Sequence, residues 1–181
     1  ATPVDFLACG AQKWLLSPWG TGFVYVRRGL IEQIEPHDVG WACMRASTDY
    51  TRLTDYAFDF LPDARRFEVV TLAYHDLAVA NASTALLLEL GVPHVAAHIE
   101  RLGATIVDWV NSRADVELVT PVDPARRAGV VAFAPADPGP MGARLREARV
   151  AHVVREGAIR FSPHVYNTAA ELESVLGVLD G

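Results

Sequence analysis

A glycine–valine–proline break divides the most helical part of the sequence. Residues 74–90 are rich in Ala and Leu, which favour helix, and this run ends at Gly91. Glycine often follows the last residue of a helix, whereas proline suits a first turn because its missing N–H has no partner there. Pro93 therefore predicts a second helix directly after the break.

The second helix carries an apolar stripe that needs a core on one side. Its apolar residues recur at steps of four and three, which places them on one helical face; they are Val95, Ile99, Leu102, Ile106 and Trp109. Further along, strand-like runs near residues 116–119, 130–134, 152–154 and 158–161 accompany a helical run at 141–148. From about residue 95 the pattern predicts an α+β unit with helices on one side of a small sheet.

The last helix has a clear start signal. Thr168 is followed three residues later by Glu171, the spacing of a capping box, in which each side chain satisfies a backbone N–H of the other residue. Leu172, Val175, Leu176 and Leu179 then provide a core-facing side. We therefore expect a helix that begins immediately after Thr168.

The first 70 residues follow a different pattern. An apolar run at 4–9 reads as a strand, a Gly- and Pro-rich turn follows, and residues 23–26 read as a second strand. Residues 27–70 mix Pro, Gly, Asp and aromatic residues without a sustained period. We expect a long excursion of turns and short elements there, of the kind that often carries function.

Composition narrows the classes of protein. The chain has 181 residues, 51% of them hydrophobic and 21% charged, which is typical of a globular protein rather than a disordered one. No apolar run reaches the roughly 18 residues of a membrane span. A net charge of −6 disfavours nucleic-acid binding, and two cysteines provide neither a disulfide framework nor a metal-ligand spacing. We expect a soluble, cytoplasmic protein without membrane, nucleic-acid or metal partners.

Lys13 is unusual because it is the sole lysine among the 16 basic residues of the chain. Arginine replaces lysine readily on a surface, but its guanidinium is not a free nucleophilic amine and forms no Schiff base. The retained amine is therefore either a leftover surface lysine or a functional nucleophile. The sequence around it favours the second interpretation.

Three segments in order resemble class V aminotransferases, the fold-type I pyridoxal-phosphate enzymes that include cysteine desulfurases, isopenicillin N epimerase and kynureninase. The first runs from Val4 to Val26 and is similar to the family's cofactor-lysine region, a strand followed by a lysine turn and a Gly-rich strand. Residues 65–71 resemble the family's Arg-Phe-Glu-x-Gly-Thr motif. Residues 157–168 resemble its Arg-x-Ser-x-x-x-Tyr-Asn-Thr segment.

This resemblance implies a fold and a division of the chain. Residues 1–92 would be the C-terminal part of the large α/β domain, whose sheet is mixed and mostly parallel and which carries the cofactor lysine. Residues 93–181 would be the α+β small domain. The family's N-terminal half supplies the remaining strands and much of the cofactor site. A homodimer is implied as well, because the family builds its active site between subunits.

The resemblance also assigns roles to four residues. Lys13 would form the Schiff base with pyridoxal 5'-phosphate, Gln12 and Thr71 would contact the cofactor, and Arg160 would bind the carboxylate of an amino-acid or keto-acid substrate. The sequence departs from the family pattern at several of these positions. Gln12 stands where the family has His, Gly10 where it has Ser, and Val70 where it has the Gly before Thr71.

Several activities stay open at this level. A PLP-dependent aminotransferase, an epimerase and a lyase of the same family all fit, and a non-catalytic C-terminal fragment without a complete cofactor site is the alternative outside enzymes. A cysteine desulfurase fits less well, because the stretch 152–160 before Arg160 contains no cysteine. His94 and His98 lie four residues apart in the second helix, a spacing that can bind zinc, but nothing nearby completes such a site.

Overall fold

The computed structural model describes residues 3–52, 54 and 57–181, and the chain divides into two compact units, Ala1–Leu86 and Leu87–Gly181. The dividing point lies inside a helix, α1, which spans Tyr74–Leu90. The dividing point therefore lies a few residues before the predicted domain boundary at residue 92. That the two sides of this boundary fold independently remains a prediction.

The first unit contains an antiparallel pair of strands, β1 (Phe6–Gly10) and β2 (Gly22–Val26). Gly10 and Gly22 face each other at the end of the pair. A Cβ atom on Gly22 would lie 2.7 Å from the carbonyl oxygen of Cys9, so the strands approach too closely for a side chain there. Most side chains of both strands are exposed, and the described part of this unit contributes no parallel strand.

In its described residues, the excursion between β2 and α1 consists of turns and short 3-10 helices, as predicted; residues 53, 55 and 56 of the predicted excursion lie outside the described residues. The helices are Arg28–Leu30, Trp41–Cys43, Arg45–Thr48 and Ala64–Phe67. A short antiparallel bridge joins Met44 to Phe60, with Leu61 N–H donating to the Cys43 carbonyl oxygen at 2.9 Å. Cys43 is completely buried at this crossing. The excursion therefore has a small core of its own.

Helix α2 spans Val92–Asn111 and confirms the break predicted from the sequence. Gly91 separates it from α1 with a φ of 82°, a left-handed backbone that favours glycine. Pro93 lies in the first turn, and the predicted apolar face is buried at Ile99, Leu102 and Ile106. The stripe therefore marks the face of α2 that packs in the core of the second unit.

The second unit has an antiparallel sheet in the order β3-β4-β6-β5. The strands are β3 (Val116–Leu118), β4 (Val131–Pro135), β5 (Val153–Arg155) and β6 (Ala158–Phe161). One face packs against α2, α3 (Pro138–Glu147) and α4 (Ala169–Asp180) around the fully buried Phe133 and Ile159. The predicted α+β unit with helices on one side is therefore confirmed.

Helix α3 begins three residues earlier than the sequence analysis expected. Asp137 accepts a hydrogen bond from Gly139 N–H at 2.8 Å and so forms the N-cap. Pro138 and Pro140 fit because the first turn of a helix leaves its N–H groups unpaired in any case. Both prolines therefore belong to the first turn of α3.

Both ends of α4 are fixed by polar contacts. The capping box is present, with Glu171 N–H donating to Thr168 Oγ1 and Thr168 N–H donating to Glu171 Oε2. At the other end Asp180 accepts from Trp109 Nε1 at 2.9 Å and from Arg113 Nη1 at 2.6 Å. These contacts tie α4 to the C-terminal end of α2.

Among the helices of the described residues, no single one is both long and apolar enough to cross a membrane. Helices α1 and α2 satisfy length and composition together only as a bent pair broken at Gly91.

We predict that residues 93–181 fold without the rest of the chain, because their core joins three helices with strands β3, β4 and β6 of the same unit. Limited proteolysis should leave a stable piece that begins near Gly91–Pro93, and the expressed 93–181 fragment should melt cooperatively. In that fragment Phe133→Ala should lower the free energy of unfolding by about 3–5 kcal/mol, the usual effect of deleting a buried aromatic ring. Digestion of the C-terminal piece together with the rest would contradict the boundary.

Candidate active site

Lys13 lies in a tight turn that connects β1 to β2 and is closed by backbone hydrogen bonds. Ala11 N–H donates to the Thr21 carbonyl oxygen at 2.9 Å, and Ser17 N–H donates to the Ala11 carbonyl oxygen at 3.1 Å. Leu16 N–H donates to the carbonyl oxygen of Lys13 itself at 3.0 Å. The backbone that carries the lysine is therefore fixed at its base, where the strand pair ends.

A serine of α1 holds the far side of the same turn. Ser83 Oγ donates a hydrogen bond of 2.9 Å to the Leu16 carbonyl oxygen, across 67 residues of sequence. Leu16 has a φ of 53°, an uncommon left-handed conformation for a leucine, so its carbonyl direction depends on such support. Ser83 could not be predicted from the sequence, because a serine inside an Ala- and Leu-rich helix gives no local signal of a distant partner.

The Lys13 amine is available for chemistry. Its side chain is exposed, and among the described residues it makes no hydrogen bond or ion pair. An amine held by a carboxylate would first have to leave that partner before it could act as a nucleophile. A solvent-facing amine on a fixed turn does not have this obstacle.

Gln12 precedes the lysine and folds back over Gly10. A Cβ atom on Gly10 would lie 2.6 Å from Gln12 Oε1, so the amide occupies the space that a side chain at position 10 would need. Gln12 is half-buried, and its carboxamide offers two N–H donors to an anionic ligand oxygen. The two departures from the family pattern at positions 10 and 12 are thus in contact.

Thr71 lies in the extended segment that leads into α1. Its side chain is exposed, and no hydrogen bond to its hydroxyl group occurs within the described residues. The hydroxyl is therefore open to a ligand or to another chain. Lys13 and Gln12 share one turn, whereas Thr71 belongs to a separate segment of the same unit.

The segment before Thr71 is organised by Asp63. This residue caps the 3-10 helix Ala64–Phe67 and binds Arg65 through Nε at 2.9 Å and Nη2 at 2.7 Å. Hydrogen bonds from the Arg65 side chain, and then from its backbone N–H, lower the pKa of the Asp63 carboxyl group to about 2. Arg65 is thereby neutralised locally by Asp63.

Arg66 has a different environment from its neighbour Arg65. Its guanidinium carbon lies 5.2 Å from the centre of the Phe60 ring, which is a cation–π contact. Its Nε atom is buried and has no hydrogen-bond acceptor within the described residues. The two adjacent arginines of this motif are therefore held by different means, one by a carboxylate and one by an aromatic ring.

Arg160 lies on β6, on the sheet face opposite the helices. Its strand neighbours Ile159 and Phe161 are buried in the core, and alternation along the strand turns Arg160 the other way. Across the sheet it pairs with Ala132 and Val153, and among the described residues its guanidinium has no hydrogen bond or ion pair. Its Nε atom is buried without an acceptor, which an incoming carboxylate would supply.

The two histidines of α2 are engaged separately. His94 Nδ1 lies 3.3 Å from the Leu90 carbonyl oxygen, and His98 Nε2 lies 2.9 Å from the Asn167 carbonyl oxygen. Each ring therefore has its own backbone partner. Among the described residues, no group of three or more His, Cys, Asp or Glu side chains is placed to hold a metal ion.

The sequence matches the family model for aminotransferase class-V over residues 1–175. The chain belongs to this family. A curated relative, the uncharacterized aminotransferase YcbU of Bacillus subtilis (strain 168), is 28% identical over 173 residues, covering 96% of this chain and 44% of the relative. Isopenicillin N epimerase of Streptomyces clavuligerus is 29% identical over 188 residues, covering 98% and 47%. The chain thus spans less than half the length of these relatives.

Solved structures show the same fold. The apo cysteine desulfurase of Thermococcus onnurineus NA1 matches with a TM-score of 0.84 and 22% identity over 97% of this chain and 46% of that one. The cystine C-S lyase C-DES, in complex with its product cysteine persulfide, matches with a TM-score of 0.83 and 24% identity over 97% and 46%. The expected fold, part of a fold-type I PLP enzyme, is confirmed, and the family uses pyridoxal phosphate.

We predict that Asp63 titrates near pH 2 in the folded chain. The pKa of Asp63 is lower in the folded chain than in the unfolded chain. The stabilisation from its pairing with Arg65 is therefore fully present above the unfolded-state pKa of about 3.9, and it is lost as the pH falls through the folded-state pKa. Carbon-detected NMR of the side-chain carboxyl should show this midpoint. Arg65→Gln should return it toward 3.8, whereas Arg66→Gln should not move it. A midpoint near 3.8 in the unaltered chain would show that the pair does not form.

Proposed function

We propose that this chain is part of a pyridoxal-phosphate-dependent enzyme that acts on an amino acid, with Lys13 as the residue that binds the cofactor through a Schiff base. The observation that carries the proposal is the Lys13 amine, which is exposed on a turn closed by hydrogen bonds and has no charged partner among the described residues. Family membership agrees with it, since the class V aminotransferases use this cofactor.

The residues of the first unit fit such a cofactor. Its aldehyde needs a primary amine, and Lys13 has the sole lysine amine of the chain. Its phosphate needs hydrogen-bond donors, which the Gln12 carboxamide and the exposed Thr71 hydroxyl can supply. When bound, pyridoxal phosphate supplies an electron sink for the negative charge that develops on the substrate Cα.

Lys13 has a second task in this proposal. The Lys13 amine would also act as a general base and acid that removes or returns a proton at the substrate Cα. Such proton transfer requires a fixed approach, because misplacement by about 1 Å can lower a rate about a hundredfold. The backbone closure at Ala11 and the Ser83 bond to Leu16 give the turn that rigidity.

Arg160 is proposed to bind the substrate carboxylate. A guanidinium presents N–H donors in a planar fork that matches both oxygens of a carboxylate. The residues on either side of Arg160 are buried in the core and fix the strand, so the Arg160 side chain itself need not contribute to the core. An arginine on a rigid strand, with no counter-ion in the part of the chain that the structure describes, is well suited to an anionic ligand.

The hairpin before Arg160 favours transamination, epimerisation or lyase chemistry over desulfuration. β5 and β6 are joined at Glu156 and Gly157, both with positive φ, of 51° and 78°. Such a tight turn leaves no long loop, and the stretch 152–160 has no cysteine to attack a substrate sulfur. We therefore propose an aminotransferase, with an epimerase or lyase of the same family as the alternative.

Self-association is part of the proposal. Apolar side chains of β1 and β2 are exposed, including Phe6 at 54% and Phe23 at 49% of their surface. Exposed apolar strands favour burial against further polypeptide. A homodimer in which Thr71 of one subunit contacts cofactor bound by the other, as the resemblance implies, would use the open Thr71 hydroxyl. A cytoplasmic location remains a prediction from the sequence.

We predict that Lys13→Ala abolishes covalent cofactor binding. The full-length protein incubated with pyridoxal phosphate should develop the absorbance of a protein-bound Schiff base, and borohydride reduction should label a peptide that contains Lys13. Lys13→Arg is the matched control: it keeps the charge but not the nucleophile, so it should also lose the band. A band that persists in both variants would refute the assignment. Absence of the band in the unaltered full-length protein would favour the non-catalytic alternative.

We predict that Arg160→Ala raises KM for the amino-acid substrate while cofactor binding persists. Removing one partner of a buried charge pair costs about 2–5 kcal/mol, so KM should rise by about 30-fold or more. Arg160→Lys should recover part of the loss, because it restores the charge but not the planar fork. Full-length enzyme kinetics, with the Schiff-base absorbance as a measure of bound cofactor, tests this. An unchanged KM in Arg160→Ala would contradict the role.

A further inference from the structure

The segment that follows Arg160 is compact although it has no regular secondary structure. Asn167 N–H donates to the His164 carbonyl oxygen at 3.0 Å, and Asn167 Oδ1 accepts from His164 N–H at 2.9 Å. The rings of His164 and Tyr166 stack with centroids 5.3 Å apart. These contacts lie within residues 162–167, which we term the post-β6 loop, and they give it a fixed shape. Pro163 and His164 of the loop are also buried.

A cavity borders this loop. It has a volume of about 530 Å³ and is lined by loop residues such as Ser162, Tyr166 and Asn167, with Leu102 of α2 and Leu172 of α4 among its apolar walls. A loop that adjoins open space has fewer packing contacts than one pressed against a core. Pro163 and His164 anchor the loop by burial, and at its cavity side, near Asn167, hydrogen bonds to the surrounding helices contribute to its position.

His98 of α2 provides such a bond. Its Nε2 atom lies 2.9 Å from the Asn167 carbonyl oxygen, across 69 residues of sequence. A carbonyl oxygen only accepts, so Nε2 must carry the proton and donate it. His98 is half-buried beside the buried Ile99, and Leu102, one turn further along, lines the cavity.

We propose that His98 is a positioning residue for the carboxylate site at Arg160, because it fixes the post-β6 loop to α2. The loop begins two residues after Arg160, so movement of the loop is transmitted to the end of β6. This inference rests on the proposed function of Arg160. His98 itself touches neither substrate nor cofactor in the proposal; it acts through the loop.

Three variants separate positioning from simple stability. His98→Leu removes the donor at similar volume, and His98→Gln keeps an N–H group that can reach the Asn167 carbonyl oxygen. His94→Leu is the matched control, since His94 lies one turn earlier on the same helix and contacts Leu90 instead. Hydrogen exchange of the Val165 and Asn167 amides measures the loop in the 181-residue chain, and KM and kcat measure the site in the full-length enzyme.

We expect faster exchange at Val165 and Asn167 in His98→Leu, with exchange in the middle of α2 unchanged. KM should rise about 2- to 10-fold, the range that one lost hydrogen bond produces, while kcat changes by less than about twofold. His98→Gln should restore most of both effects, and His94→Leu should show neither.

Two results would overturn the proposal. One is His98→Leu with a lower melting temperature but unchanged loop exchange and KM, which would make His98 a structural residue only. The other is an equal effect in His94→Leu. Failure of the proposed function gives a different pattern, because Arg160→Ala then leaves KM unchanged. In that case, faster loop exchange in His98→Leu supports the link between His98 and the loop, but it does not support a role of His98 at the carboxylate site.

Discussion

The alternation of side chains along β6 is the constraint on which the second unit depends. Ile159 and Phe161 are buried beneath the helices, so the strand has a single acceptable register, since a slip by one residue would expose both. The same constraint turns Arg160 to the opposite face. The Arg160 side chain is therefore oriented by the hydrophobic burial of its neighbours, with no ion pair within the described residues to compete for its charge.

The lysine turn in the first unit is stabilised differently. The strands that flank it are largely exposed, and the closest backbone contacts occur where two glycines face each other. Hydrogen bonds at Ala11, Ser17 and Thr21 close the turn, and Ser83 joins it to α1. Directional hydrogen bonds thus fix the position of the lysine turn, whereas core packing fixes the strand around Arg160.

The local features of this fold could be predicted from the sequence because local rules determine them. The stripe on α2, the capping box at Thr168 and the break at Gly91 depend on residues within four positions of one another. The bonds from Ser83 to Leu16 and from His98 to Asn167 span 67 and 69 residues, and no periodicity or cap signals them. The roles of Lys13 and Arg160 came from resemblance; the structure adds the side-chain partners that each has or lacks.

The departures at positions 10 and 12 belong together for a steric reason. A Cβ atom at position 10 would lie 2.6 Å from Gln12 Oε1, so a serine there and the present placement of the Gln12 amide exclude each other. The turn therefore has one flexible carboxamide where the family pattern has a hydroxyl and an imidazole. A carboxamide is neutral at every pH, whereas an imidazole gains charge near neutrality. Any phosphate contact made at Gln12 would consequently rest on neutral hydrogen bonds and would not strengthen as the pH falls.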